Sequence, residues 1–328
     1  MADLKTQYLG LQLKNPLLVS SCGLTGTIGG LKTCAKHGAG AVVLKSLFEE
    51  QVDAETGLDS EAAASLAQQP DAAEYLTELG KTHGPDKYLA LIREAKQELD
   101  IPVIASVNCV SNRWWTDFTG QLAAAGADAL EINIGRIPIE QVEDAAAIEG
   151  EACEIVRTIK HQINIPVTVK IGPHYTSLPA IIDGLVAAGA DGLVLFNRFY
   201  QLDIDTEAVD FITGKMFSNP AELHLPLRWT ALLAPRIKIP ISLSTGVHSG
   251  NDIIKAVLAG ASVVQIASVL YEKKAAHLET MLTDTAAWLD KHGFDSVDAI
   301  RGKLAGNTAS ARAALGRVQY IKALTGVG

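Results

Sequence analysis

The chain has 328 residues, 48% hydrophobic and 20% charged, ordinary proportions for a soluble globular protein with room for a large core. Its formal net charge of −9 argues against a nucleic-acid surface, which needs clustered Lys and Arg. Cys22, Cys34, Cys109 and Cys153 include no C-x-x-C pair, which disfavours a zinc ribbon or an iron–sulfur cluster held by this chain alone and suits a reducing cytosol. The N-terminus has no basic segment followed by an apolar core, and no apolar run approaches the ~20 residues of a membrane span. A cytoplasmic protein without a membrane anchor is expected.

Eight apolar runs of strand length follow in chain order, at 16–22, 39–46, 101–107, 127–133, 165–171, 190–197, 239–245 and 261–268. Most are continuous rather than alternating, as parallel strands covered on both faces should be. Between them, 86–100, 151–164, 177–189 and 250–260 repeat apolar residues at helical spacing. Ile-Pro opens strands at 101, 165 and 239, and Gly-Ala opens them at 38, 126, 189 and 260. These residues stop a helix and start a strand. The pattern predicts one domain over 1–328, a (β/α)8 TIM barrel, with a doubly wound open sheet as the structural alternative. The long connections, 47–86, 134–150 and 198–226, all follow strands. In a barrel those loops build the face that carries active sites. The tail 284–306 reads as one helix and a short second one.

Several strands end on residues that a core avoids. Lys45 and Ser46 end the second, Asn108 and Cys109 follow the third, Asn133 ends the fourth and Asn197 the sixth. Lys170 lies inside the fifth with apolar neighbours on both sides. A buried, unpaired Lys is costly. Two at corresponding strand ends point to a shared anionic or acceptor-rich ligand, unless each reaches past the rim to water. The last two units, 242–257 and 264–272, each run strand, small residues, helix, which is where barrels hold a phosphate. No G-x-G-x-x-G or P-loop motif suggests a dinucleotide or P-loop nucleotide.

These residues together resemble the dihydroorotate dehydrogenase family of FMN barrels, over nearly the whole chain. The stretches that carry the resemblance are LGLQLKNPLLVSSCGLTGT, VVLKS, ALEIN, VTVKIG, LFN, STGVHSGNDIIKAVLAGASVVQIASVLY and HGFDSVDAIRGKL. The resemblance implies FMN across the barrel mouth, with Ser21, Cys22 and Gly23 along the flavin. Its phosphate would sit at Gly246, Val247, Ala267 and Ser268, and Lys170 near the N1/O2 edge. Lys45 and Asn133 would bond flavin or substrate, and Asn133 and Asn197 would hold a planar amide ring. The implied cofactor set also takes in Ser46, Asn108, Ser218 and Thr245. The implied reaction is dihydroorotate to orotate in pyrimidine biosynthesis, by a homodimer with a soluble acceptor or a partner reductase.

One half of the pattern departs. The family continues its strand-four Asn as Asn-x-Ser-Cys-Pro-Asn, or with Ser for the Cys, and that Cys or Ser is the base. Here the chain reads Asn133, Ile134, Gly135, Arg136, Ile137, Pro138. Arginine takes up no proton near neutral pH, though Arg136 could grip a ring carboxylate. The family's Asn-x-x-Gly-Leu-x-Asn after strand two is also absent from 50–76. Lys45, Arg136, Cys109 and His174, with Tyr175 beside the last, are the candidates for catalysis. Cys153 reads as core, and His224 and His248 as loop or surface residues rather than metal ligands. The alternatives are a flavoprotein of the same fold that reduces a pyrimidine or has lost redox activity, and a flavin-free barrel acting on a phosphorylated metabolite.

Overall fold

All eight apolar runs form strands. The computed structural model describes residues 2–49, 84–109, 115–135, 144–199 and 201–326. A hairpin comes first, β1 (Thr6–Tyr8) with β2 (Leu11–Leu13). The barrel strands are β3 (Leu17–Val19), β4 (Ala41–Val43), β6 (Val103–Cys109), β7 (Ala129–Ile134), β8 (Val167–Ile171), β9 (Gly192–Leu195), β12 (Ile241–Ser244) and β13 (Val263–Ile266). A short β5 (Leu47–Phe48) continues the second unit alongside β6. Every pairing among the barrel strands is parallel, and the β4–β6 pairing closes the ring. The closed ring excludes the open doubly wound sheet.

The helices that cover the strands are α1 (Ile28–Lys36), α2 (Pro85–Glu98), α3 (Trp115–Ala124), α4 (Ala145–Gln162), α5 (Leu178–Ala187), α6 (His224–Leu233), α7 (Gly250–Ala259), α8 (Ser268–Lys273) and α9 (His277–Lys291). Helix α4 starts earlier than its periodicity suggested because Asp144 accepts from the Ala146 N–H and caps it there. Similarly, α9 begins at His277 and not near 284, and a 3-10 turn at Asp298–Ile300 follows it. No helix among the described residues is long and apolar enough to cross a membrane.

The interior of the lower end of the barrel is apolar and filled. Leu18, Ala41, Val43, Ile104, Ala129 and Val263 pack inside it against Tyr8, Leu9 and Leu13 of the hairpin. The Tyr8 hydroxyl meets Thr168 Oγ1 at 2.9 Å, and burial pushes its pKa far above the usual tyrosine range. A Cβ on Gly192 would lie 2.5 Å from Leu9 Cδ2, so that strand can carry no side chain inward there. Polar strand ends stand at the opposite end of the barrel, where they line a cleft.

Candidate functional site

Strand register sets the site's level. Asn108 pairs with Asn133 across β6 and β7, and Asn133 with Lys170 across β7 and β8. Asn197 follows β9, and its N–H donates to Ile171 O at 2.9 Å. In parallel strands, residues in register share one side of the sheet, so polar ends two residues above the core arrive together at the mouth. Asn133, Lys170 and Asn197 line a cleft of about 530 Å³.

The floor of the cleft is charged. Lys170 is only 7% exposed. It lines the cleft with Ser20 and Gln265 and donates to Ser20 Oγ at 3.4 Å. Asn133 and Asn197 stand beside it and are locked together, Asn197 Nδ2 donating to Asn133 Oδ1. One wall is a chain of hydroxyls, Ser21 to Ser46 at 3.0 Å and Ser46 to Ser106 at 2.7 Å. The Ser46 N–H adds a bond to Ser21 Oγ at 2.8 Å, tying the end of β3 to the end of β4. Lys45, Cys22 and Gly23 complete that side. A Cβ on Gly23 would come within 2.7 Å of the Tyr271 hydroxyl. Tyr271 itself stacks on Phe217 with centroids 5.1 Å apart. Burial, with Cys22 beside it, raises the Tyr271 hydroxyl pKa.

The other end is built for close backbone approach. Thr245 and Gly246 take φ of 80° and 76°, and a Cβ on Gly246 would lie 2.2 Å from the Leu223 nitrogen. Val247, Ala267 and Ser268 line the same end. Ser218 is fixed there twice: its N–H donates to Ser268 Oγ at 2.9 Å, and its hydroxyl meets His248 Nε2 at 3.1 Å. His248 lies in a loop, as expected, but is enclosed there. It is 7% exposed, its own N–H reaches Asp252 Oδ2 at 3.2 Å, and its carbonyl meets His277 Nε2 at 3.0 Å. Burial lowers its pKa despite the nearby Glu272 and Asp252. Arg198 pins the covering segment, with Nε on Glu222 Oε2 at 2.7 Å and NH1 on the Met216 carbonyl at 2.9 Å.

The structure thus brings together Ser21, Cys22, Gly23, Lys45, Ser46, Asn133, Lys170, Asn197, Ser218, Thr245, Gly246, Val247, Ala267 and Ser268 around one cleft. Asn108 does not line it; its Nδ2, like that of Asn197, lies 3.6 Å from where a Gly135 Cβ would be. His174 does not line the cleft; it is exposed and packs on Phe199 at 5.4 Å. Tyr175 is packed against the core, and burial raises its hydroxyl pKa. Cys109 closes β6, while Arg136 and Pro138 lie outside the described residues. Cys153 packs against the core, as read, and His224 is exposed at the start of α6. The sequence reading missed Gln265, Arg198, Phe217 and Tyr271. Gln265 had a signal, a long polar side chain inside an otherwise apolar strand.

Comparison with known proteins agrees with this geometry. A family model described as dihydroorotate dehydrogenase matches residues 3–285. Dihydroorotate dehydrogenase A (fumarate) of Lacticaseibacillus paracasei is 32% identical over 82% of this chain and 93% of its own length. The catalytic subunit of dihydroorotate dehydrogenase B (NAD(+)) of Methanocaldococcus jannaschii is 30% identical over 82% of this chain and 87% of its own. The catalytic subunit of that name from Methanosarcina mazei is 28% identical over 92% of this chain and 96% of its own.

Proposed function

Because the chain belongs to the dihydroorotate dehydrogenase family, we propose that its barrel mouth holds FMN and dehydrogenates a C–C bond of a small cyclic amide or acid. The observation that carries this reading is the cleft itself. A nearly buried ammonium and two carboxamides stand at one end, and close-approach backbone at Thr245–Val247 and Ala267–Ser268 at the other. That donor set fits a planar acceptor-rich ring with a phosphate tail. Gly23 and Gly246, where a Cβ would meet the Tyr271 hydroxyl and the Leu223 backbone, let those segments pack closely at the two ends of the cleft.

FMN, when bound, supplies the acceptor for the substrate's hydride. The chain does the rest. Ser218, Gly246, Val247, Ala267 and Ser268 would hold the phosphate, and Ser21, Cys22, Gly23, Lys45 and Ser46 the ring. Lys170 places a cation where negative charge accumulates on reduction. Asn133 and Asn197 orient the substrate ring, their mutual hydrogen bond fixing both amides before it arrives. The remaining requirement is a base for the C–H proton, and Arg136 is not one. This departure at 136 and 138 favours a second reading, a flavoprotein of the same fold acting on another cyclic amide, as dihydropyrimidine dehydrogenase does. The electrons would leave to a soluble acceptor or a reductase partner, and the working form would be a homodimer.

Mass spectrometry of the released cofactor and anaerobic mixing with dihydroorotate test the proposal. FMN should be found, and its absorption should bleach slowly or not at all with dihydroorotate. Recovery of FAD, or of a phosphorylated metabolite with no flavin, rejects it. Fast bleaching would instead show that another residue serves as base.

A further inference from the structure

Beneath the cleft lies a carboxylate that the proposed reaction does not use. Glu131, inside β7, is 0% exposed and does not line the cleft, whereas Ser20, Lys170 and Gln265 around it do. Gln265 Nε2 donates to Glu131 Oε2 at 2.6 Å, and Ser20 Oγ donates to Gln265 Oε1 at 3.0 Å. Lys170 Nζ in turn donates to Ser20 Oγ at 3.4 Å. The ring closes between Lys170 Nζ and Glu131 Oε1, 3.8 Å apart. That oxygen is buried and accepts no hydrogen bond among the described residues.

A carboxylate this deep is costly unless a counter-charge stands by it, and Lys170 is the cation in range. We infer that Glu131 is a positioning residue: it tethers the Lys170 ammonium from below and masks part of its charge from whatever occupies the cleft. The inference rests on the flavin reading for its consequence, which has a definite sign. A cation at the ring edge favours the negative charge gained on reduction, and a carboxylate behind that cation opposes it. Ser20 and Gln265 set the spacing, so the ring meets a held, partly neutralised ammonium.

Glu131→Gln keeps an oxygen acceptor for Gln265 and removes the charge. The flavin midpoint potential is titrated in wild type, Glu131→Gln, Lys170→Met and the double variant. Glu131→Gln should raise the midpoint, by a hold on reduced over oxidised flavin about tenfold stronger, which is about 30 mV for a two-electron couple. Lys170→Met should lower it, and the double variant should fall between. A midpoint in Glu131→Gln at or below wild type overturns the inference. Thermal unfolding of the same four proteins without added flavin tests the pairing separately. Each single variant leaves one buried partner alone, so the double should lose less than the sum of the two. Additive losses overturn the pairing. A wild type that takes up no flavin removes the flavin reading, and the unfolding cycle then decides the pair by itself.

Discussion

Arg198 and Glu222 show how one side chain shapes the mouth. Burial alone would raise the Glu222 pKa. The Arg198 hydrogen bond, the Asn219 N–H and the Arg198 charge outweigh it, so the pKa is lowered. A depressed folded-state pKa gives stability that is fully present above the unfolded value and lost as pH falls through the folded one. Arg198→Met should therefore lower the melting temperature at neutral pH, and its gap to wild type should narrow in acid below the ordinary glutamate range. A constant gap from pH 7 to pH 3 would place the contribution of Arg198 in its bonds to the 215–217 carbonyls instead. In the proposed reaction the departures from the family pattern are Arg136 and Pro138, which lie outside the described residues. A positioned base contributes about 10²–10⁴-fold to a proton transfer. Restoring the family pattern with Arg136→Cys and Pro138→Asn should speed flavin bleaching by dihydroorotate in stopped flow. No gain would mean that the base lies elsewhere.

Between elements, one device occurs twice. Asp128 Oδ2 accepts from Lys96 Nζ at 2.6 Å and from the Val103 N–H at 2.7 Å. Asp191 Oδ2 accepts from Lys160 Nζ at 2.6 Å and from the Val167 N–H at 2.8 Å. Each clamp joins the end of a helix, the start of the strand after it and the entry to the next strand. The Gly before each Asp loop, Gly126 and Gly189, has φ of 102° and 105°, the left-handed conformation that ends a helix. Asp191→Ala should strand the Val167 N–H and cost about 1–3 kcal/mol. In urea this appears as a lower midpoint with an unchanged slope. The Gly-Ala pair made these helix-to-strand junctions legible in sequence. The hairpin β10 (Leu202–Asp205) with β11 (Asp210–Thr213) was not legible. It lies in a stretch read as a long connection, its Leu-Asp-Ile-Asp alternation is only four residues long, and Leu202, Ile204 and Phe211 are exposed. The terminal helices α10 (Ala309–Ala313) and α11 (Gln319–Thr325) are short and largely exposed, and they escaped for the same reason.

For the whole molecule, a ligand that binds the folded barrel and not the unfolded chain stabilises it by mass action, about 2.7 kcal/mol at a hundredfold excess over Kd. FMN should accordingly raise the melting temperature in a concentration-dependent way, and riboflavin, which lacks the phosphate, should raise it less. Equal shifts would detach the Gly246–Ser268 end from phosphate. The sequence by itself determined eight β/α units, because eight apolar runs must each be covered on both faces and the Gly and Pro between them stop each helix before its strand; closure into a barrel, and not an open sheet, was decided by the β4–β6 pairing. It also marked the polar strand ends, since a Lys or Asn where a strand should be apolar stands out in one dimension. Only the tertiary structure decided which of these residues meet. His174 was a candidate by its place after a strand, yet its ring lies outside the cleft against Phe199. His248 read as a loop or surface residue; it is in a loop, where Ser218 and His277 enclose it. Glu131 has no partner in its own stretch of sequence; Gln265, which is 134 positions away, closes on it. Such partners are set by barrel closure, which brings distant strands to one level and leaves no mark in the local sequence.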